Sequence, residues 1–191
     1  MKPQLIFLIG CPGSGKSTIG KAISKEFNFS YIDKDITCNL FTGTLLEMNG
    51  YSRYTRDHCD FYKDIVMDLE YQTIMNVANE NLKLGNSVIL DAPFLSYFAD
   101  ENYLSDLQTK YRWHDIDPLV LNVTVDFEIL KERLQKRGLE RDQWKFNNWA
   151  RFIKDIQLKK CLWNNVTIKE FDNSKEELNT EELYQFFRLR S

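Results

Sequence analysis

An α/β fold, three layers built around a five-stranded parallel sheet, follows from three observations along the 191 residues. Short β-type apolar runs alternate with amphipathic helical stretches, the rhythm of successive strand–helix–strand units. The first run, Leu5-Ile6-Phe7-Leu8-Ile9, is apolar without interruption, as a strand covered on both faces must be. A glycine-rich turn then leads directly into a helical pattern.

After the first strand at 5–9, the others are expected at 30–32, 87–90, 119–125 and 166–171. The helices between them fall at 15–27, 60–84, 97–111 and 127–137, followed by 140–160 and 175–189. Gly85 and Gly138 stand where two of these helices stop, because glycine takes the left-handed conformation that closes a helix. The stretch 34–60, rich in Thr, Asn, Gly and Tyr, breaks the rhythm and has only weak periodicity around Leu40–Met48. It is expected as an insertion over the site, because long connections in compact domains are commonly binding segments. No repeat or linker divides the chain, so 1–191 is expected to be one domain.

Composition narrows the classes. Apolar residues at 43% supply a core, and a net charge of −3 lacks the global basic field of a tight nucleic-acid binder. That lowers the nucleic-acid reading without removing it. Cys11, Cys38, Cys59 and Cys161 show neither C-x-x-C nor zinc-ligand spacing, and the chain opens on a core strand where a signal peptide would need other features. Reduced thiols and a cytoplasmic location are the expectation. No apolar stretch approaches the ~20 residues of a membrane span. Monomer and homodimer both stay open.

The chemistry begins at Gly10-Cys11-Pro12-Gly13-Ser14-Gly15-Lys16-Ser17-Thr18, which satisfies G-x-x-x-x-G-K-[ST]. This spacing is a phosphate-binding loop. Gly10, Gly13 and Gly15 let backbone amides turn inward around a triphosphate, with Ser14 and Thr18 in the same cradle. Lys16 reaches the β/γ oxygens, and the Ser17 hydroxyl ligates Mg²⁺. The following helix adds its N-terminal dipole. ATP and Mg²⁺ are therefore the expected donor and cofactor.

Asp33-Lys34-Asp35 follows the second strand at the edge where open α/β sheets place ligands. On an extended chain Asp33 and Asp35 point the same way, so Asp35 can take a proton from a substrate hydroxyl while Asp33 holds a metal-bound water. The competing reading is a solvated turn or helix cap. Val88-Ile89-Leu90-Asp91 is an apolar strand ending in a carboxylate, which suits Asp91 as a second Mg²⁺ contact. Pro93 and Phe94 would then shape the floor or wall of the acceptor pocket.

Arg133, Arg137, Arg141 and Lys145 recur every fourth residue across the Gly138 stop, with Asp142 beside Arg141. Either they form a solvated face, or 133–160 is a mobile lid that aims Arg137 and Arg141 at the moving phosphoryl group. Arg53, Arg56, Asp57 and His58 sit among Tyr51, Tyr54, Phe61 and Tyr62; they either recognise an acceptor or pack the segment onto the body. Asp172-Asn173-Ser174 follows the last strand, as a turn or as a neighbour of the base.

Taken together, Gly10 to Thr18, Asp33/Asp35, Asp91 and the Arg137/Arg141 segment resemble the small P-loop kinases: shikimate and gluconate kinases, antibiotic phosphotransferases and the phage polynucleotide kinase domain. The resemblance covers nearly the whole chain and implies a nucleoside-monophosphate-kinase-like fold with a helical lid. It also implies that Asp35 contacts the acceptor hydroxyl and that Arg137 and Arg141 are lid arginines. A closer likeness, through Leu69-Glu70-Tyr71, Leu90-Asp91-Ala92-Pro93-Phe94 and Arg141-Asp142-Gln143-Trp144-Lys145, is to bacterial proteins of this group described as ATP-binding. Asp91-Ala92-Pro93-Phe94 stands where shikimate kinase carries its glycine-rich acceptor motif, which directs the acceptor away from shikimate. The function implied is phosphoryl transfer from ATP to a hydroxyl of a small molecule. A polynucleotide 5′-hydroxyl kinase and a nucleotide-dependent regulatory ATPase are the alternatives.

Overall fold

A computed structural model describes residues 2–56 and 59–188, apart from the side chains of Arg141 and Arg188. Asp57 and His58 lie outside the described residues. Five strands, β1 (Leu5–Ile9), β2 (Ser30–Asp33), β3 (Val88–Asp91), β4 (Pro118–Thr124) and β5 (Thr167–Asp172), form one sheet in the order β2-β3-β1-β4-β5. All four pairings are parallel. Parallel neighbours need crossovers, and the helices supply them: α1 (Lys16–Phe27), α2 (Lys34–Met48), α3 (Met67–Lys83), α4 (Tyr103–Tyr111) and α5 (Phe127–Arg137). The chain continues through α6 (Gln143–Asn147) and α7 (Trp149–Leu158), and after β5 into α8 (Thr180–Arg188).

The period-two alternation of each strand divides the core into two layers. Leu5, Phe7, Ile9, Val88, Leu90 and Val120 face α3 and α4, where Tyr71, Ile74, Ala78, Leu104 and Leu107 are buried. Ile6, Leu8, Ile89, Leu119 and Leu121 face Ile19 and Ile23 of α1 and Leu183 and Phe187 of α8. The central strand β1 is buried at every position, as its unbroken apolar run requires.

The rhythm of the sequence is reproduced, with three differences. The segment 34–60 is not an irregular insertion, since α2 occupies residues 34–48. Its amphipathic signal is weak because Ile36, Leu40 and Met48 leave apolar side chains on the outer face. The expected helix 60–84 begins with a π-helical turn, Tyr62–Val66, before α3. The stretch 140–160 is broken into a 3₁₀ turn, Glu140–Asp142, and the two helices α6 and α7.

Candidate active site

Parallel register places the functional groups at one edge. Leu8 pairs with Asp91, and Asp91 pairs with Asp33, so the phosphate loop and both carboxylates leave the sheet at the same level. Gly15 lies at φ +95, and a Cβ there would fall 2.2 Å from Asn173 Nδ2. Only glycine accommodates that approach. Asn173 Nδ2 donates to Ser14 O at 2.8 Å and so ties the end of β5 to the loop. The Asp172-Asn173-Ser174 motif thus contributes a loop anchor. The Ser14 hydroxyl is buried without a hydrogen-bond partner among the described residues.

Lys16 Nζ donates to Gly10 O and Cys11 O, both at 2.9 Å. Burial lowers its pKa, and the Asp91 charge works against that shift. Ser17 Oγ lies 2.8 Å from Asp91 Oδ2 and 3.3 Å from Asp33 Oδ2. Tyr31 completes the group, its hydroxyl 2.6 Å from Asp91 Oδ2 and 3.1 Å from Asp33 Oδ2. Burial, and then the Asp91 charge, pushes the Tyr31 pKa far up, so the phenol stays a donor. Burial likewise raises Asp91, with Lys16 opposing it. The result is a knot of two carboxylates and two hydroxyls beside the lysine. Among the described residues no group of three or more His, Cys, Asp or Glu is placed to hold a metal ion.

Asp33 and Asp35 do not lie on one extended strand. Asp33 is the N-cap of α2, its Oδ1 accepting from Asp35 N at 2.8 Å and Ile36 N at 3.1 Å, while Asp35 stands on the first helical turn. The Asp33 carboxylate has two oxygens, so it caps the helix with one and joins the Ser17–Asp91 group with the other. Asp35 Oδ1 lies 3.7 Å from Lys34 Nζ and 3.5 Å from Arg56 Nη1.

Behind Asp35 is a buried polar network that joins Lys34, Tyr62 and Glu70, each quoted above in a separate motif, with Thr42, which no motif contains. Glu70 is fully buried and accepts from Lys34 Nζ, from Thr42 Oγ1 at 2.6 Å and from Tyr62 Oη at 2.8 Å. Surrounded by three donors, its carboxyl group is compensated in the interior. The nearest sequence signal is Glu70 itself, an acid on the buried stripe of α3.

A cavity of about 500 Å³ joins these parts, lined among others by Lys16, Ser17, Asp33, Asp35, Asp91 and Arg137. Arg56 lines it too, whereas Arg53 does not: Arg53 is half-exposed beside Gly43 and 3.8 Å from Glu47. Phe94, expected on the pocket wall, is instead fully buried against Phe7, Tyr71 and Trp163. Its φ of +56 is held by its amide, which donates to Tyr71 Oη at 3.0 Å. Pro93, Leu95 and Ser96 provide the wall there. In the segment expected as a lid, Arg137 donates through Nε and Nη2 to Asp142 Oδ2 at 3.0 and 2.6 Å, and Lys145 donates to Asp142 Oδ1 at 3.0 Å. Asp142 therefore pairs with Arg137. The Arg141 side chain lies outside the described residues.

Known proteins with the same arrangement agree on the class. Residues 5–158 match the family described as AAA domain. A shikimate kinase of Clostridium botulinum (strain Eklund 17B / Type B) is 30% identical over 136 residues, 71% of this chain and 73% of that enzyme. Shikimate kinase 2 of Photorhabdus laumondii is 25% identical over 111 residues, and the match spans 57% of that enzyme's length. Among solved structures, a sugar kinase from Janibacter sp. HTCC2649 superposes with a TM-score of 0.61 at 15% identity, covering 96% of this chain and 91% of that one. The chain therefore belongs to the AAA-domain family of P-loop proteins, within the group of small P-loop kinases that contains the shikimate kinases.

Proposed function

We propose that this protein transfers the γ-phosphate of ATP to a hydroxyl group of a small molecule. One observation carries the reading: a single cavity is lined by the phosphate-loop groups Lys16 and Ser17, the carboxylates Asp33 and Asp91, and Asp35 from the next element. A switch needs the first two sets; a kinase needs all three.

In this reading the loop amides and Lys16 hold the triphosphate at the start of α1, where the dipole favours anions. The partnerless Ser14 hydroxyl fits a loop that closes on a phosphate oxygen. Ser17, Asp33 and Asp91 present hard oxygen donors, the set that suits Mg²⁺. A bound magnesium would neutralise charge on the β- and γ-phosphates. Asp35 orients the acceptor hydroxyl and takes its proton as the new P–O bond forms, and the two cations beside it hold the carboxylate in position. Arg137 and Arg141 steady the phosphoryl group from the lid. Asp142 is the residue that aims Arg137.

The test is transfer of label from γ-labelled ATP in the presence of magnesium. The panel contains polyols, sugars, hydroxy acids, nucleosides and a 5′-hydroxyl oligonucleotide. Label entering a small hydroxylated compound is the expected result. Label entering only the oligonucleotide would replace the small-molecule acceptor, and slow phosphate release with no acceptor would favour a nucleotide-dependent switch.

A further inference from the structure

A second cavity, of about 520 Å³, adjoins the first and shares Asp35, Tyr54 and Arg56 with it. Its chemistry differs. Ile36, Leu40 and Tyr54 line one part of it, Leu139 and Glu140 line another, and Asn39 and Arg53 add polar groups, so Arg53 meets this second space and not the first. Ile36 and Leu40 are four residues apart on α2, so they stack on one face of the helix. They are 71% and 79% exposed, while the opposite face buries Cys38, Thr42 and Leu46. An aliphatic ridge is thus left in water directly beside the carboxylate proposed to meet the acceptor.

Arg56 stands at the junction of the two spaces. Its Nη2 donates to Asn39 Oδ1 at 2.7 Å, and the guanidinium lies 5.6 Å from the centre of the Tyr62 ring. These contacts fix it as a wall between the phosphate-loop chamber and a groove that sets Ile36, Leu40, Tyr54 and Leu139 among polar groups.

We propose that the acceptor is an amphiphilic alcohol: its hydroxyl lies at Asp35, and an apolar ring or chain joined to that hydroxyl lies in the groove of Ile36, Leu40, Tyr54 and Leu139. The inference rests on the kinase reading. Continuity argues for substrate in the groove: Asp35 belongs to both cavities, so a body attached to a hydroxyl at Asp35 has the groove as its neighbouring space. The lid supports the same occupant. Leu139 directly follows Gly138, where α5 ends at φ +60, so the lid carries one wall and covers an apolar body from the side opposite α2. A wholly polar acceptor leaves both aliphatics in water. Covering either one is worth about tenfold in affinity.

The experiment uses two matched pairs of probes, glycerol with 3-phenyl-1,2-propanediol and methyl with phenyl β-D-glucoside. Binding to the full chain with magnesium and a non-hydrolysable ATP analogue is read by saturation-transfer NMR, and phosphorylation by label transfer from ATP. The phenyl member of at least one pair is expected to bind about tenfold tighter, with saturation on its ring protons. Ile36→Asp and Leu40→Asp should each remove about tenfold of that affinity. Both positions are exposed, so unfolding midpoints should stay within about 2 °C of wild type. Equal binding within both pairs, or unchanged affinity in both variants, overturns the inference. So does a loss of oligomerisation in the variants by light scattering, which would make the groove an interface between copies. Label passing equally to polar and phenyl members overturns the groove and leaves the kinase reading intact. Ring-selective binding that both variants weaken, with no alcohol labelled, supports the groove as a binding site and removes the kinase reading.

Discussion

The two halves of the cavity are built from different kinds of structure. The donor half hangs on strand ends: the phosphate loop leaves β1, Asp33 closes β2 and Asp91 closes β3, with Asp33 and Asp91 opposite one another in register. The half proposed to take the acceptor hangs on helices: Lys34, Asp35 and Thr42 come from α2, Tyr62 from the π-helical turn and Glu70 from α3. A parallel sheet with a buried core has one register, so the donor geometry cannot drift without disturbing the whole core. The acceptor geometry depends on one buried carboxylate and its three donors, and the outer face of α2 can change without touching that network.

Glu70→Ala should produce the largest effect and should break the acceptor half alone. It removes the nearer of the two carboxylates beside buried Lys34 and leaves only Asp35, at 3.7 Å, which costs up to about 3–5 kcal/mol. Urea unfolding measures the loss. Nucleotide affinity, measured below the unfolding transition, should stay close to wild type, because no donor-side group touches Glu70 in the network described.

Lys16→Met is the opposite perturbation. Removing the loop cation should lower phosphoryl transfer by about 10²–10³-fold, measured as initial rates at saturating acceptor. Its unfolding midpoint should not fall, because burial already disfavours the charged lysine. A large loss of stability in this variant would mean that the donor half depends on Lys16 for its fold.

Asp91→Asn should give the smallest effect, with the opposite sign. Burial raises the Asp91 pKa in the folded chain, so the folded state binds its proton more readily than the unfolded one. The stability tied to that proton is fully present below the ordinary aspartate range and is lost as pH rises through the folded value. At neutral pH the ionised form is therefore a cost, and the amide should raise the thermal midpoint. In chelator, thermal unfolding from pH 8 down to acid should show the gap between variant and wild type closing. Magnesium-dependent nucleotide affinity should fall in the same variant.

The same division explains what could be read without the structure. The phosphate loop is contiguous, and each strand ending in a carboxylate carries its own local signal, so Lys16, Ser17, Asp33 and Asp91 could be named from spacing. Even there, local patterns go only so far. They treat Asp33 as either a cap or a site residue, whereas its two oxygens serve both purposes. Tyr31 stands beside the Asp33-Lys34-Asp35 run without a role read from spacing; its ring packs over Gly20, where a Cβ would lie 2.5 Å away, and its hydroxyl reaches Asp91. The acceptor half is assembled from distant pairs, Lys34 with Glu70 and Thr42 with Glu70, that no periodicity reveals. Phe94 follows a site aspartate by three residues, yet its positive φ turns it into the core. Spacing singles out Arg137 as a cation beside the Gly138 stop, but its pairing with Asp142 depends on the turn at 140–142.

The account rests on Asp35 belonging to the acceptor half of a kinase. The direct measurement is a paired one on Asp35→Asn: the dissociation constant for ATP with magnesium, and the rate of phosphoryl transfer. Nucleotide affinity within about twofold of wild type, with transfer lower by ~10²-fold or more, is the predicted result. Unchanged transfer, or an equal loss of affinity and rate, would contradict it.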